Sequence, residues 1–221
     1  MAKVHGVLLD VDGTLVLSND AQDQSWVEAF EEHGYDIPFD RIRPLLGMGG
    51  DQLVPKVAPG LDAKEGVGKA VSDRRKAIFL ESYAPKIAPA PGARELVLRM
   101  RDSGLRVIVA SSAKPDELDA LLKIAGVDEL LPERTTSSDA KESKPAPDIV
   151  AVGLDKLKIA PDDVLMMGDT PYDVASAGKI GVGTIAVRCG GFSDRDLAHA
   201  RAIYDDPADL LARYDESPLA R

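Results

Sequence analysis

Cysteine and histidine are scarce in this sequence. Its 221 residues include one cysteine, Cys189, and three histidines, His5, His33 and His199. A single cysteine cannot form a disulfide within the chain, and the histidines show no metal-ligand spacing. The composition therefore argues against a disulfide scaffold and against a metal site built from sulfur or imidazole.

Positive charge is also in short supply. Lys and Arg number 27 against 37 Asp and Glu, which gives a formal net charge of -10. This balance argues against non-specific binding to nucleic acid or to a membrane surface, both of which require basic patches. No apolar run approaches the length that spans a bilayer, and the start, Met1-Ala2-Lys3-Val4-His5, runs straight into a predicted strand. We therefore expect a cytoplasmic protein.

The most informative segment is Asp10-Val11-Asp12-Gly13-Thr14, which follows the apolar run Val7-Leu8-Leu9. Residues two apart in a strand point to the same side, so both carboxylates are expected to face one locus, and Gly13 allows a sharp turn. Two close carboxylates stay ionised only when a cation neutralises them, and otherwise one keeps its proton. Either condition suits phosphate chemistry. Taken alone, the segment could also be an acidic turn at a strand end.

Three further segments carry suitable chemistry, and two of them include an apolar run. Val107-Ile108-Val109-Ala110-Ser111-Ser112 ends in two hydroxyl side chains, and Val164-Leu165-Met166-Met167-Gly168-Asp169 ends in an acid, with Asp173 four residues later. Lys144-Pro145-Ala146-Pro147-Asp148 lies between them. Ligands of open parallel sheets bind beyond the carboxyl ends of the strands. These segments are therefore expected to converge.

The remaining pattern predicts an α/β fold with a doubly wound, parallel, Rossmann-like sheet. After Pro91, segments with helical spacing alternate with apolar runs. Between the first strand and about Tyr83, by contrast, the sequence contains helical segments broken by glycine and proline. We predict an α/β core at residues 1–16 and 89–221, with a helical domain inserted at 17–88. The elements predicted after Pro91 are helices over 93–103, 115–125, 148–157 and 172–179 and strands from 105, over 164–167 and over 182–187.

In this order, the four segments resemble the four motifs of the haloacid dehalogenase-like superfamily of phosphohydrolases, over nearly the whole chain. The first and last segments are the specific ones, and the serine and lysine segments gain meaning from order and context. The resemblance implies a Mg²⁺-dependent phosphatase that acts on a small phosphorylated metabolite through an aspartyl-phosphate, with residues 17–88 as a mobile cap. We expect that metabolite to be its partner and the protein to be a monomer or a small homo-oligomer.

Matching the motifs residue by residue gives each acid a role. Asp10 matches the nucleophile, since a carboxylate that attacks phosphorus forms an anhydride that water can hydrolyse. Asp12 matches the acid/base that protonates the leaving group and later activates water. The predicted metal ligands are Asp10, Asp12, Asp169 and Asp173, and the predicted substrate-binding residues are Thr14, Gly47, Ser111, Ser112 and Lys144.

Local alternatives remain open for several of these residues. Ser111 and Ser112 could cap the following helix, and Lys144 could be an ordinary solvated lysine. Asp173 follows Thr170 at the spacing of a helix capping box, so it could serve the helix start instead of the metal. The cations of the insertion could grip a second anionic group of the substrate, although charge runs usually face solvent. These cations are Arg43, Lys56, Arg74, Arg75 and Lys76.

Two other functions remain open for the whole chain. The nearest is a phosphomutase of the β-phosphoglucomutase type, and the one from a different class is a receiver-like phosphoaspartate sensor. Dehalogenation is disfavoured because it does not need Asp12, and phosphonatase chemistry is disfavoured because the opening motif is intact.

Overall fold

The structure, a computed structural model, describes residues 3–220. Within this range one six-stranded sheet has the strand order β3-β2-β1-β4-β5-β6. The strands are β1 (Gly6–Leu9), β2 (Arg106–Ala110), β3 (Arg134–Thr135), β4 (Val164–Gly168), β5 (Gly183–Val187) and β6 (Ala202–Tyr204). All neighbouring strands pair in parallel, which confirms the predicted sheet. The expectations drawn from the Met1-Ala2 start and the outer limit of the core at residue 221 fall outside the described residues.

Helices connect the strands and form most of the insertion. They are α1 (Asn19–Glu32), α2 (Phe39–Ile42), α3 (Gly50–Val57), α4 (Gly66–Ile78), α5 (Ala93–Asp102), α6 (Pro115–Ile124), α7 (Asp148–Leu157), α8 (Pro171–Gly178) and α9 (Pro207–Ala212). A π-helical segment, Phe79–Tyr83, continues α4. None of the helices between residues 3 and 220 is long and apolar enough to cross a membrane.

Two hydrophobic clusters lie against the sheet. In β1, Val7 and Leu9 belong to one cluster and Leu8 to the other, because successive strand residues point to opposite faces. Helices α5 and α6 contribute to the first cluster, and α7 contributes to the second. Both faces of the central strands are therefore buried, which explains why β1 and β4 are continuous apolar runs in the sequence.

The insertion has a hydrophobic cluster of its own. Its buried members all come from residues 26–78 and include Trp26, Phe30 and Leu53. The two chain segments that join the insertion to the core run side by side: Leu17 N donates to Ala88 O at 3.1 Å, and Ala90 N donates to Leu15 O at 2.8 Å. These features support a separate helical unit, and its boundaries at 16/17 and 88/89 stay a prediction.

The elements predicted after Pro91 agree with the structure to within one residue at each end. Three elements were not predicted, namely β3, β6 and α9. β3 has two residues and β6 has three, and both lie at the edges of the sheet. Strands this short show no hydrophobic period in the sequence. Gly34, with φ +81°, follows His33, the C-cap residue of α1.

Candidate active site

Three central strands bring the predicted residues to one edge of the sheet. Leu9 of β1 stands beside Met167 of β4 in the register, and Asp10 N donates to Met167 O at 2.9 Å. β2 lies on the other side of β1, and Ser111 follows its last residue. Because all three strands are parallel and end at the same level, Asp10 and Asp169 become neighbours although 159 positions separate them in the sequence.

A buried cluster of acids lies at this edge. Carboxylate oxygens of Asp10, Asp169 and Asp173 lie within 4.8 Å of one another, and all three residues are buried. Lys144 Nζ lies 2.6 Å from Asp10 Oδ1 and 2.7 Å from Asp173 Oδ1. The Lys144 side chain is 1% exposed, so the solvated-lysine alternative is wrong.

Two polar side chains hold Asp169. Thr14 Oγ1 lies 3.1 Å from Asp169 Oδ1 and 3.4 Å from Asp10 Oδ2, so its hydroxyl can donate to either carboxylate. Asn19 Nδ2 donates to Asp169 Oδ2 at 2.8 Å and to Gly190 O at 2.7 Å. Asn19 lies outside the four motifs that the sequence shows. Nothing in the local sequence reveals a contact across 150 positions.

Two glycines let the backbone approach Asp169. Gly13 has φ +69°, and a Cβ at this position would lie 2.2 Å from Asp169 Oδ2. A Cβ on Gly190 would lie 1.8 Å from the same oxygen. Any side chain at either position would displace the carboxylate, so the acid cluster requires glycine at both.

Asp173 uses its two oxygens differently. Asp173 N donates to Thr170 Oγ1 at 3.2 Å while Thr170 N donates to Asp173 Oδ2 at 3.1 Å, which completes a capping box at the start of α8. The other oxygen, Oδ1, faces Lys144. The predicted helix cap is therefore confirmed, and metal ligation by Asp173 stays a prediction.

Asp12 has surroundings of its own. Its Oδ1 accepts hydrogen bonds from Ser18 Oγ at 2.6 Å and from Gln22 Nε2 at 2.8 Å. Ser18 stands at the N-cap position of α1, but its hydroxyl serves Asp12 and does not cap the helix. Among residues 3–220, the group of acids close enough to share a metal does not include Asp12. Its predicted role as a metal ligand therefore stays a prediction that its carboxylate contacts do not support.

Both acids of the opening motif line a small cavity of about 50 Å³. Ser111, Ser112 and Gly47 line the same cavity, which places these predicted substrate-binding residues beside Asp10. The N-cap residue of α6 is Lys114, so the alternative that either serine caps this helix is wrong. Substrate binding by the three residues stays a prediction.

Contacts around the cavity hold its serine and glycine residues in place. Ser111 Oγ accepts a hydrogen bond from Ala113 N at 3.1 Å. Gly47 has φ +94°, its carbonyl lies 3.4 Å from Ser112 Oγ, and a Cβ on it would lie 2.6 Å from Thr170 Cγ2. The insertion therefore meets the core directly over the cavity.

The electrostatics of the cluster favour a bound cation. Burial raises the pKa of Asp10 from 3.8 to about 7, although Lys144 opposes the shift. Burial, together with Asp10 and Asp173, raises the pKa of Asp169 well above its ordinary value. Burial lowers the pKa of Lys144, but the two facing carboxylates outweigh this effect and raise it overall. The cluster thus contains three carboxylates and one ammonium group, and these hard oxygen donors fit a divalent cation such as Mg²⁺.

A second network connects Asp12 to the insertion. Gln22 Nε2, which donates to Asp12, also donates to Glu117 Oε1 at 2.9 Å. Arg75 of α4 forms an ion pair with Glu117 and donates to Gln22 Oε1 at 2.8 Å. Burial and the nearby Glu117 carboxylate raise the pKa of Asp12. Sequence reasoning missed Gln22 and Glu117, because each lies within an ordinary helical pattern.

Most of the cations proposed to grip a second anionic group have partners in the protein. Arg43 Nη1 pairs with Asp20 at 2.7 Å and with Asp23 at 2.9 Å. Arg74 pairs with Glu32 on the surface. Lys76 pairs with Asp116 at 2.5 Å. Lys56 is exposed and lines neither the small cavity nor the larger one beside it.

Comparisons with known proteins agree with this geometry. Residues 7–187 match the family of haloacid dehalogenase-like hydrolases. Phosphoglycolate phosphatase of Rhodospirillum rubrum is 31% identical over 214 residues, which cover 92% of this chain and 88% of that protein. Protein SUPPRESSOR OF QUENCHING 1, chloroplastic, of Arabidopsis thaliana is 34% identical over 189 residues, 84% of this chain but 18% of the plant protein.

A solved structure shows the same architecture. The putative β-phosphoglucomutase from Bacteroides vulgatus superposes with a TM-score of 0.84 at 25% sequence identity, covering 99% of this chain and 91% of that one. The family match spans all four motifs. The chain is therefore an enzyme that belongs to the family of haloacid dehalogenase-like hydrolases.

Proposed function

We propose that the protein is a cytoplasmic, Mg²⁺-dependent phosphatase that hydrolyses a small phosphorylated metabolite through an aspartyl-phosphate on Asp10. The observation that carries this proposal is the Asp10 carboxylate, buried at the end of β1, 2.6 Å from Lys144 Nζ and open to a cavity shared with Asp12. The relative from Rhodospirillum rubrum, named phosphoglycolate phosphatase, supports the same class of reaction.

The chemistry divides between the two acids of the opening motif. A carboxylate oxygen of Asp10 attacks phosphorus, the ester P–O bond breaks, and Asp12 donates a proton to the departing alkoxide. Asp12 then accepts a proton from a water molecule that attacks the aspartyl-phosphate, which releases inorganic phosphate and restores Asp10. Lys144 and the Ser111 hydroxyl provide donors for the phosphoryl oxygens, where preorganised charge has its largest effect.

The acid cluster provides the metal site of this proposal. Asp10, Asp169 and Asp173 would hold Mg²⁺, and Thr14 and Asn19 orient Asp169 toward it. Bound there, the ion would supply positive charge that stabilises the transferring phosphoryl group. The buried excess of negative charge in this cluster is the observation that supports the assignment.

The decisive experiment measures phosphate release from an aryl phosphate with and without Mg²⁺. We expect turnover that a chelator removes and added Mg²⁺ restores. Asp10→Asn should lower kcat by about a thousandfold or more, because the amide cannot act as the anionic nucleophile. Circular dichroism and the unfolding midpoint check that the variant is folded. Activity near the wild-type level in a folded Asp10→Asn variant would contradict the covalent mechanism.

The two alternative functions that the sequence left open are not equally supported. A phosphomutase remains the second candidate, because the superposed structure from Bacteroides vulgatus bears that name and the same aspartyl-phosphate chemistry serves both reactions. The non-enzymatic sensor is not supported, since the chain belongs to a family of hydrolases.

A further inference from the structure

A second, larger cavity opens beside the catalytic one. Its volume is about 340 Å³, it lies between the insertion and the core, and we call it the basic chamber. Four residues line both cavities, so the chamber adjoins the small cavity that Asp10 and Asp12 line. These are Trp26, Arg75, Ser112 and Glu117. A substrate whose phosphate reaches Asp10 would place its organic part in the chamber.

Positive side chains dominate the chamber wall, although the whole chain carries a formal net charge of -10. Asp51 and Glu117 are the acids of the lining. The cations are Lys64, Lys69, Arg75, Lys76, Lys114 and Lys141. A local excess of one sign in a recessed cavity concentrates ligands of the opposite sign, so the chamber favours an anion.

Two of these lysines carry charge that no carboxylate neutralises. Lys69 and Lys114 pair with Asp73, and Arg75 pairs with Glu117. Within residues 3–220, by contrast, no carboxylate pairs with Lys64 or Lys141. Lys64 Nζ instead donates to the Lys141 carbonyl at 3.2 Å, so a lysine of the insertion and a lysine of the core meet at the same part of the wall.

The remaining lining indicates a polyhydroxylated organic body. The indole ring of Trp26 and the methyl group of Ala63 supply apolar contact. The hydroxyls of Ser72 and Ser137 donate to backbone carbonyls and present their oxygens as acceptors, and Ser138 adds a third hydroxyl. The volume falls within the usual range of small-molecule pockets. A bare two-carbon phosphate ester would leave most of this space to water.

We propose that the substrate is a phosphate monoester of a sugar or polyol that carries a second anionic group, bound by Lys64 and Lys141 in the basic chamber. This inference rests on the proposed phosphatase function and adds the substrate class. The second group is an anion held by ammonium groups, and either a phosphate or a carboxylate has that chemistry.

Three six-carbon esters test the proposal. Sorbitol 6-phosphate has a neutral far end, 6-phosphogluconate ends in a carboxylate, and a hexitol 1,6-bisphosphate ends in a second phosphate. We expect kcat/KM at least tenfold higher for one or both doubly charged esters, mainly through a lower KM. The preference should shrink as salt is added, because screening weakens charge pairs near the surface. The ester that is preferred identifies the second group as carboxylate or phosphate.

Lysine variants connect the preference to the chamber. In the double variant Lys64→Gln/Lys141→Gln, the ratio of kcat/KM for the preferred ester to that for sorbitol 6-phosphate should fall at least tenfold. Lys64→Arg/Lys141→Arg should retain most of the ratio. Lys56→Gln removes an exposed lysine of the insertion outside the chamber and should leave the ratio unchanged.

A binding measurement separates this inference from the catalytic proposal. Calorimetry on the Asp10→Asn variant should show tighter binding of the preferred ester than of sorbitol 6-phosphate, and the lysine double variant should lose the difference. Turnover of all three esters without a preference would overturn the inference and leave the phosphatase intact. Absence of turnover with every ester would overturn the phosphatase function and, with it, this substrate class.

Discussion

At the residue scale, the surroundings of the two acids of the opening motif differ, so we expect them to have different roles. Burial raises the pKa of Asp10 to about 7, and Lys144, 2.6 Å from its Oδ1, opposes that shift and favours the anion that the proposed attack requires. Asp12 accepts hydrogen bonds from Ser18 and Gln22 and has Glu117 nearby, and its pKa is raised by burial and by that neighbour. A carboxyl group with a raised pKa can hold a proton for a leaving group.

Replacing Asp12 should therefore affect poor leaving groups most. In Asp12→Ala we expect kcat for an alkyl phosphate to fall by a factor on the order of a thousand, because the alkoxide leaves without a proton. An aryl phosphate, whose leaving group needs little protonation, should lose much less. Steady-state kinetics with both esters provide the measurement. Equal losses for the two esters would count against the acid/base role.

Replacing Asp169 should weaken the metal site. Asp169→Asn keeps the shape of the side chain but removes a hard anionic ligand, so we expect the Mg²⁺ concentration for half-maximal activity to rise by about tenfold or more. Asp162→Asn removes an exposed acid just before β4, at the opposite end of that strand from the site, and serves as the control. An unchanged Mg²⁺ requirement in Asp169→Asn would show that the coordination proposed for this residue is wrong.

At the element scale, α1 joins the insertion to the site. Its first turn holds Asn19 and Gln22, which contact Asp169 and Asp12, and its middle supplies Trp26 to the core of the insertion. The same helix buries Asp23, whose Oδ2 accepts from Arg43 at 2.9 Å. Its Oδ1 is buried and has no hydrogen-bond partner within the described chain. Ionising Asp23 is therefore unfavourable in the folded protein.

This burial predicts a pH dependence of stability. Burial raises the pKa of Asp23 from 3.8 to about 6, against the opposing effect of Arg43. Between these two values the folded state holds a proton that the unfolded state has released, so the contribution of Asp23 to stability is greatest below pH 4 and falls as pH rises to 6. Above pH 6 both states are ionised and the contribution is constant.

The variant Asp23→Asn isolates this effect. The free energy of unfolding of the wild type, relative to that of Asp23→Asn, should fall by about 2 kcal/mol between pH 4 and pH 7, which is the part of a shift of roughly two pKa units that lies within this range. Urea unfolding of both proteins across this range provides the values. A difference that stays constant with pH would contradict the raised pKa.

At the scale of the whole molecule, the insertion covers the edge of the sheet through several polar contacts. Ion pairs connect Arg75 with Glu117 and Lys76 with Asp116, and Ser143 N donates to Asp51 Oδ2 at 3.0 Å. Another contact joins the two units, because Tyr172 Oη of the core donates to Pro44 O of the insertion at 2.5 Å. The contacts bring side chains of both units around the acid cluster, so we expect catalysis and substrate choice to depend on both.

Access of water decides between the two candidate reactions. A mutase must exclude water while its intermediate turns over, whereas a phosphatase must admit it. The small cavity that Asp10 lines has room for water, and the basic chamber adjoins it. We expect inorganic phosphate release from a hexose 1-phosphate incubated with Mg²⁺ and a trace of the bisphosphate. Complete conversion to the 6-phosphate without phosphate release would replace the phosphatase with the mutase.

Much of the catalytic edge could be predicted from local sequence. Asp10 and Asp169 each stand directly after a continuous apolar run, and such runs form the buried central strands of parallel sheets. Thr170, Pro171 and Asp173 likewise predict the start of a helix, and the structure confirms it: Pro171 is the first residue of α8, and Thr170 and Asp173 form its capping box. In these cases a few adjacent residues contain the whole signal, because strand burial and helix capping are local effects.

Other parts of the site were decided by tertiary structure. Asn19 reaches Asp169 across 150 positions, Gln22 reaches Glu117 across 95, and Lys64 meets Lys141 across 77. None of these residues belongs to a local pattern that distinguishes it from its neighbours. The order of the motifs along the chain therefore determined which acids form the site, whereas the packing of the insertion on the sheet decided how those acids are held and which charges surround them. Hydrogen bonds and ion pairs depend on distance in space, and only the folded chain sets that distance.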